Sequence, residues 1–225
     1  MTVRCLEHAI QKAECEFELL SVDNGSTDKR VVDYIASKNP AYHRVNPDNQ
    51  GYARMLNQML LRAKGDYLCV IDNDLLMPDG WLRKLVEVNQ CIPDSGISGY
   101  HCVLDLANPV IYCGCEVHFQ EPIHGVKFFN RAYLDKVGYY CESFHPYGNE
   151  DVEMNRRSIM AGFKNYYLGA GDRVVHLGED SGEQSDYRKM KWDSLHGIAH
   201  PALQERFTYL RETGDFYVAP SASSL

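Results

Sequence analysis

The chain has 225 residues, 44% of them hydrophobic, and a formal net charge of −8. This is the size of one large domain or two small ones, with enough apolar material for a core. The acidic balance argues against general nucleic-acid binding, which favours basic surfaces. No apolar run reaches the ~18 residues of a membrane span, and Met1-Thr2-Val3-Arg4-Cys5-Leu6 has no signal-peptide layout. A cytoplasmic location is therefore expected, with room for a peripheral membrane partner. The eight cysteines are expected to be reduced in that setting. Cys113-Gly-Cys115 is too close to be CxxC, and no second pair stands at zinc-finger spacing.

Val3, Leu6 and Ile10 fall at helical spacing, so the chain opens on a helix. Phe17 to Val22 reads as a strand and runs into Asp23-Asn24-Gly25-Ser26-Thr27-Asp28. Asn-Gly marks a turn there, and Ser26 or Thr27 is placed to cap a helix from Asp28 to Ala36. A short strand at Tyr42 to Val45 and a loop from Asn46 to Gly51 follow. Tyr52 to Ala63 carries Met55, Leu56, Met59, Leu60 and Ala63 on one side of a helix, which Gly65 ends. The next run, Tyr67 to Ile71, reads as a buried strand. It stops at Asp72-Asn73-Asp74, and Pro78 starts a helix to about Asn89.

This alternation predicts an α/β sheet, mostly parallel. Such a sheet normally begins with a strand, and here a helix comes first, so the expectation is either that Met1 is not the beginning of the fold or that the sheet has lost its first strand. Ligands of such sheets sit beyond the carboxyl ends of the strands, where Asp23, Asp72 and Asp74 fall. The middle of the chain (97–104, 110–119 and 125–130) is β-rich and predicts a smaller mixed or antiparallel patch. A short helix at Arg131 to Val137 follows. Asn149 then looks like an N-cap, with Glu150 and Asp151 in the first turn of a helix ending near Gly162. Short strands are expected at 164–168 and 173–176, and a last helix at 201–211. The terminal Pro-Ser-Ala-Ser-Ser-Leu is expected to fray. The whole is read as one domain with a nucleotide-binding half (1–95), an acceptor half (96–178) and a C-terminal loop and helix (179–225).

Two carboxylates ending a buried strand are costly to bury without a partner. A divalent cation offsets that cost, and the oxygens of Asp72 and Asp74 suit Mg²⁺ or Mn²⁺ completed by phosphates. Alternate strand residues point the same way, so both could face one ion. Glu150 and Asp151 diverge by ~100° on a helix, so one should face a site and the other hold a neighbour.

Five stretches together resemble a glycosyltransferase of the GT-A fold, in the inverting family 2. They are Val22-Asp23-Asn24-Gly25-Ser26-Thr27-Asp28; Asn49-Gln50-Gly51-Tyr52-Ala53 with Asn57; Ala63-Lys64-Gly65-Asp66-Tyr67 into Asp72-Asn73-Asp74; Tyr147-Gly148-Asn149-Glu150-Asp151-Val152-Glu153 with Arg156, Ala161 and Gly162; and Val174-Val175-His176. Within the family the pattern looks most like rhamnosyltransferase-type members. The resemblance implies a Rossmann-like nucleotide-binding sheet and hexosyl transfer from a UDP- or dTDP-sugar, UDP favoured, to a saccharide or lipid-linked hydroxyl. It places Asp23, with Asn24, at the nucleobase or ribose, and Gly51, Asp72 and Asn73 among the donor contacts. Asp74 would bind the metal directly, Asp72 would reach the sugar or ribose or bind the metal through water, and His176 would complete the shell. Neutral imidazole favours Mn²⁺ over Mg²⁺. Asp151, in a pair with Glu150, would be the general base. The segment Tyr187-Arg188-Lys189-Met190-Lys191-Trp192 reads either as a cover for the diphosphate or as a solvated basic patch. Two other activities fit the same motifs: a sugar-1-phosphate nucleotidyltransferase, and a non-catalytic nucleotide-binding relative.

Overall fold

The structure is a computed structural model and describes residues 1–101, 108–144, 147–169, 173–177, 189 and 192–224. Helix and strand alternate from the start: α1 (Thr2–Lys12), β1 (Leu20–Asp23), α2 (Lys29–Ala36), β2 (Tyr42–Val45), α3 (Tyr52–Leu60) and β3 (Tyr67–Ile71). Next come β4 (Leu75–Leu76), α4 (Trp81–Cys91), β5 (Ser95–Tyr100), β6 (Val110–Tyr112), β7 (Cys115–Phe119) and β8 (Val126–Asn130). The remainder comprises α5 (Arg131–Val137), α6 (Glu150–Met160), β9 (Lys164–Leu168), β10 (Val175–His176), a π-helical turn at Leu195–Ala199 and α7 (His200–Thr213). Asp28, rather than Ser26 or Thr27, caps α2: its carboxylate accepts from the Arg30 backbone N–H at 3.1 Å. The chain forms two compact units, each drawn from separated stretches of sequence.

One unit comprises Met1–Phe17, Gly65–Tyr133 and Ser158–Ser181. Its six-stranded sheet runs β3-β8-β5-β9-β7-β6. β5 and β9 are parallel, and the other neighbours are antiparallel. The mixed patch expected in mid-chain is thus the larger of the described sheets, and β3 joins it through β8. Leu75, Met77, Trp81, Leu85, Val88, Tyr100, Phe128 and Tyr166 form its core with Ala9 and Ala13 of the N-terminal stretch. Trp81 is buried and its indole N–H donates to the Ala9 carbonyl at 3.0 Å, a packing role. One expectation fails here. Cys91, at the end of α4, and Cys113, in the β6–β7 turn, form a disulfide. Two cysteines 22 residues apart carry no pairing signal in the sequence; the fold brings their Cα atoms to 6.3 Å.

The other unit comprises Glu18–Lys64, Leu134–Arg157 and Gly182–Leu225. β1 and β2 pair in parallel, with Asp23 opposite Val45. Arg157 and Glu153, one helical turn apart on α6, are both fully buried. The guanidinium donates to both Glu153 oxygens at 2.9 and 3.1 Å and to the Tyr139 carbonyl at 2.8 Å. Arg206 of α7 adds a third donor to Glu153 at 3.1 Å. The C-terminal end is docked, not frayed. Val218 exchanges backbone hydrogen bonds with Tyr139 and Val137, and a Cβ at Gly138 would collide with its backbone. Ser221 and Ser224 donate to the Glu142 carboxylate, and Ser224 is fully buried. Polar residues anchor this terminus, so its composition alone misleads.

Arg157→Ala leaves the Glu153 charge buried with Arg206 alone, and urea unfolding should show a loss of about 3–5 kcal/mol. Ile159→Ala, at a part-exposed position of the same helix, should cost about 1 kcal/mol or less.

Candidate functional site

In the first unit the acidic motif sits where β3 gives out. Asp72 still holds the ladder, its N–H donating to the Gly125 carbonyl at 2.9 Å. A turn at Asn73 and Asp74 then leads into β4. That turn ends the strand alternation, and the two aspartates have different partners. The Asp72 carboxylate pairs with the Lys127 ammonium at 3.3 Å. Asp74 goes elsewhere. Its carbonyl accepts from Leu177 N–H at 2.8 Å, and β4 pairs with β10 so that Leu75 faces His176. His176 Nε2 thereby lies 3.5 Å from Asp74 Oδ2. Asp74 Oδ1 is buried and makes no hydrogen bond among the described residues. The Asn73 amide donates to Thr2 Oγ1 at 3.2 Å, tying the turn to α1. Cys5 of α1 donates to the Asp72 carbonyl at 3.4 Å. Burial pushes its thiol up, and the Asp74 and Asp72 charges push the same way, so it stays neutral.

Among the described residues, no group of three or more His, Cys, Asp or Glu is placed to hold a metal ion. The expected trio of Asp72, Asp74 and His176 is therefore reduced to a pair, Asp74 with His176. A lone buried carboxylate oxygen beside an imidazole does not make a closed structural site. It fits a divalent cation that completes its shell with water and substrate phosphates. Lys127 was not singled out in the sequence. Its signal was a single lysine inside the apolar strand Val126-Lys127-Phe128-Phe129.

In the second unit, Asp23 closes β1 and is buried. Its Oδ1 accepts from Ser26 N–H at 2.9 Å, folding the loop after the strand. Asn24 is committed to the protein. Its Oδ1 accepts from Gln50 N–H at 3.0 Å and from the Asn46 amide at 3.1 Å. Its Nδ2 donates to Asn49 Oδ1 at 2.9 Å. The amide thus locks loop 23–28 to loop 46–51, a role that needs a donor and an acceptor at once and that aspartate lacks. Gly25 sits at φ 88° where a Cβ would meet the Asp48 backbone at 2.8 Å. Gly51 starts α3 and donates to Asn49 Oδ1 at 2.9 Å.

A small open hollow beside Gly51 is lined by Tyr52, Arg54, Glu142 and Phe144. Glu142 gathers four donors, from Asn57, Arg54, Ser221 and Ser224. Burial pushes its carboxyl up, but these bonds outweigh burial and hold it below its ordinary value. At the start of α6 the Asn149 carbonyl accepts the Glu153 N–H at 2.8 Å, as an N-cap does, while its amide meets His200 Nδ1 at 2.9 Å. Glu150 is buried and accepts from Gly148 N–H at 2.6 Å. Asp151 is half-buried on the next position round the helix. Of the segment 187–192, only Lys189 and Trp192 are among the described residues. Trp192 is exposed and its ring centroid lies 4.1 Å from that of His196.

Residues 1–97 match the family Glycosyl transferase family 2. The fold agrees: a crystal structure of GalNAc-T7 with UDP, GalNAc and Mn²⁺ superposes with a TM-score of 0.63 over 78% of this chain and 40% of that one, at 14% identity. The mannosyltransferase PcManGT from Pyrobaculum calidifontis, in complex with GDP-Man and Mn²⁺, gives 0.58 over 81% of this chain and 55% of that one, at 18% identity. The fold is GT-A, as expected. In sequence, the glycosyltransferase GlyG of Streptococcus pneumoniae serotype 4 (strain ATCC BAA-334 / TIGR4) is 26% identical over 103 residues, 44% of this chain and 34% of that protein. The chain therefore spans only about a third of the length of that relative. None of its described helices is long and apolar enough to cross a membrane.

The depressed Glu142 carboxyl contributes stability that is present above the unfolded glutamate value of about 4.3 and is lost as pH falls through the lower folded value. Wild type should therefore lose stability faster than Glu142→Gln between about pH 5 and pH 3. At pH 7 the variant should be less stable by about 1–3 kcal/mol in urea unfolding.

Proposed function

We propose that the chain transfers a hexosyl group from a nucleoside-diphosphate-sugar to an acceptor hydroxyl by a single inverting displacement. The observation that carries this is the Asp74–His176 pair, with its buried Asp74 Oδ1 that makes no hydrogen bond among the described residues, Asp74 lying in a turn within the stretch that matches family 2. Asp74 and His176 would hold a divalent cation. Bound there, the cation would supply Lewis-acid neutralisation of the leaving diphosphate. The imidazole favours Mn²⁺ over Mg²⁺, and both solved GT-A relatives contain Mn²⁺. Their nucleotides differ, UDP in one and GDP-Man in the other. UDP or dTDP is the donor nucleotide favoured here.

Asp23 would bind the base or ribose, with Asn24 acting through the loop it fixes. Gly51, Asn73 and Asp72 would complete the donor contacts. Asp151 would take the proton from the attacking hydroxyl of a saccharide or lipid-linked acceptor. Glu150 supports it by holding Gly148 and so the entry to α6.

Asp151→Asn should bind UDP and Mn²⁺ like wild type, by calorimetry, and should lose about 10²–10⁴-fold in transfer rate. Transfer at the wild-type rate would remove Asp151 as the base.

A further inference from the structure

Lys127 lies in β8 opposite Val70 of β3, one alternation short of Asp72. Its side chain is 1% exposed and its ammonium is 3.3 Å from Asp72 Oδ1. Burying an ammonium costs several kcal/mol unless a paired charge offsets it. Strand β8 is otherwise apolar at this depth, with Val126, Phe128 and Phe129 all fully buried. An aliphatic side chain would satisfy that core without the electrostatic cost, so packing alone does not account for a lysine. The ion pair has a consequence for the motif. It engages the Asp72 carboxylate on the sheet side, while the turn at Asn73–Asp74 delivers Asp74 to His176.

We propose that Lys127 is a positioning residue that keeps Asp72 out of the cation's shell, leaving a site of one carboxylate and one imidazole, Asp74 and His176. Asp72 then serves as an oriented acceptor for donor hydroxyls, its charge balanced by Lys127. This rests on the cation reading given under the proposed function, and the test separates the two. A purely structural lysine stabilises the sheet and leaves the cation's ligand count alone. A positioning lysine changes that count when it is removed.

The experiment is direct Mn²⁺ binding to the full chain in the presence of UDP, read by the electron paramagnetic resonance of unbound Mn²⁺, with no activity measurement. Asp72→Asn should leave the Mn²⁺ affinity within about twofold of wild type, whereas Asp74→Asn should weaken it about ten- to a hundredfold. Lys127→Met should tighten Mn²⁺ binding by releasing Asp72, Lys127→Arg should restore the wild-type value, and Lys127→Met with Asp72→Asn should cancel the gain. An Asp72→Asn loss as large as that of Asp74→Asn overturns the proposal, and this arm needs no lysine variant to fold. Unchanged affinity in a folded Lys127→Met also overturns it. If Asp74→Asn has no effect, the cation reading itself fails and takes the proposal with it.

Discussion

A carboxylate taken out of water needs a partner, and the acids buried in this protein show how fully that need is met. Glu153 has two guanidinium groups. Glu142 has two hydroxyls, an amide and a guanidinium. Asp72 has a buried ammonium. Asp74 is served less fully: a histidine lies 3.5 Å from one oxygen, and the other is buried with no hydrogen bond among the described residues, as is one oxygen of Asp151. At Asp74 a cation and a diphosphate would complete what the described residues leave open.

The satisfied acids do the mechanical work. Glu153 and Arg157 fix α6, and with it the position of Asp151 at its first turn. Glu142 pins the C-terminal serines against α3 residues Arg54 and Asn57. Asn24 joins the loop after β1 to the loop before α3 by one amide used in both senses. These contacts carry no chemistry themselves.

Much of this was legible from residue order. The apolar run of β3, the turn after Asp23, the helix opening at Glu150 and the strand ending at His176 are local features, set by periodicity and punctuation. The β4–β10 pairing that brings His176 to Asp74 is not local, and only the resemblance to a family anticipated it. Asp72 and Asp74 both lie past the end of β3, where strand alternation no longer dictates which way a side chain points. Lys127, the Cys91–Cys113 disulfide and the docked Ser221 and Ser224 were missed for a common reason. Each acts through a partner far away in sequence, and its own neighbours say nothing about that partner. The extent of the antiparallel pairing around β8 was missed likewise, since strand direction depends on connections that composition does not encode.

The central claim is that Asp74 and His176 hold a cation for a nucleoside diphosphate. It is tested most directly by calorimetric titration of UDP, dTDP and GDP into wild type and His176→Ala, each with and without Mn²⁺. The account predicts that at least one nucleotide binds wild type about tenfold or more tightly with Mn²⁺, and that His176→Ala loses this enhancement. Nucleotide binding to wild type that is indifferent to Mn²⁺, or an enhancement that survives in His176→Ala, would contradict it.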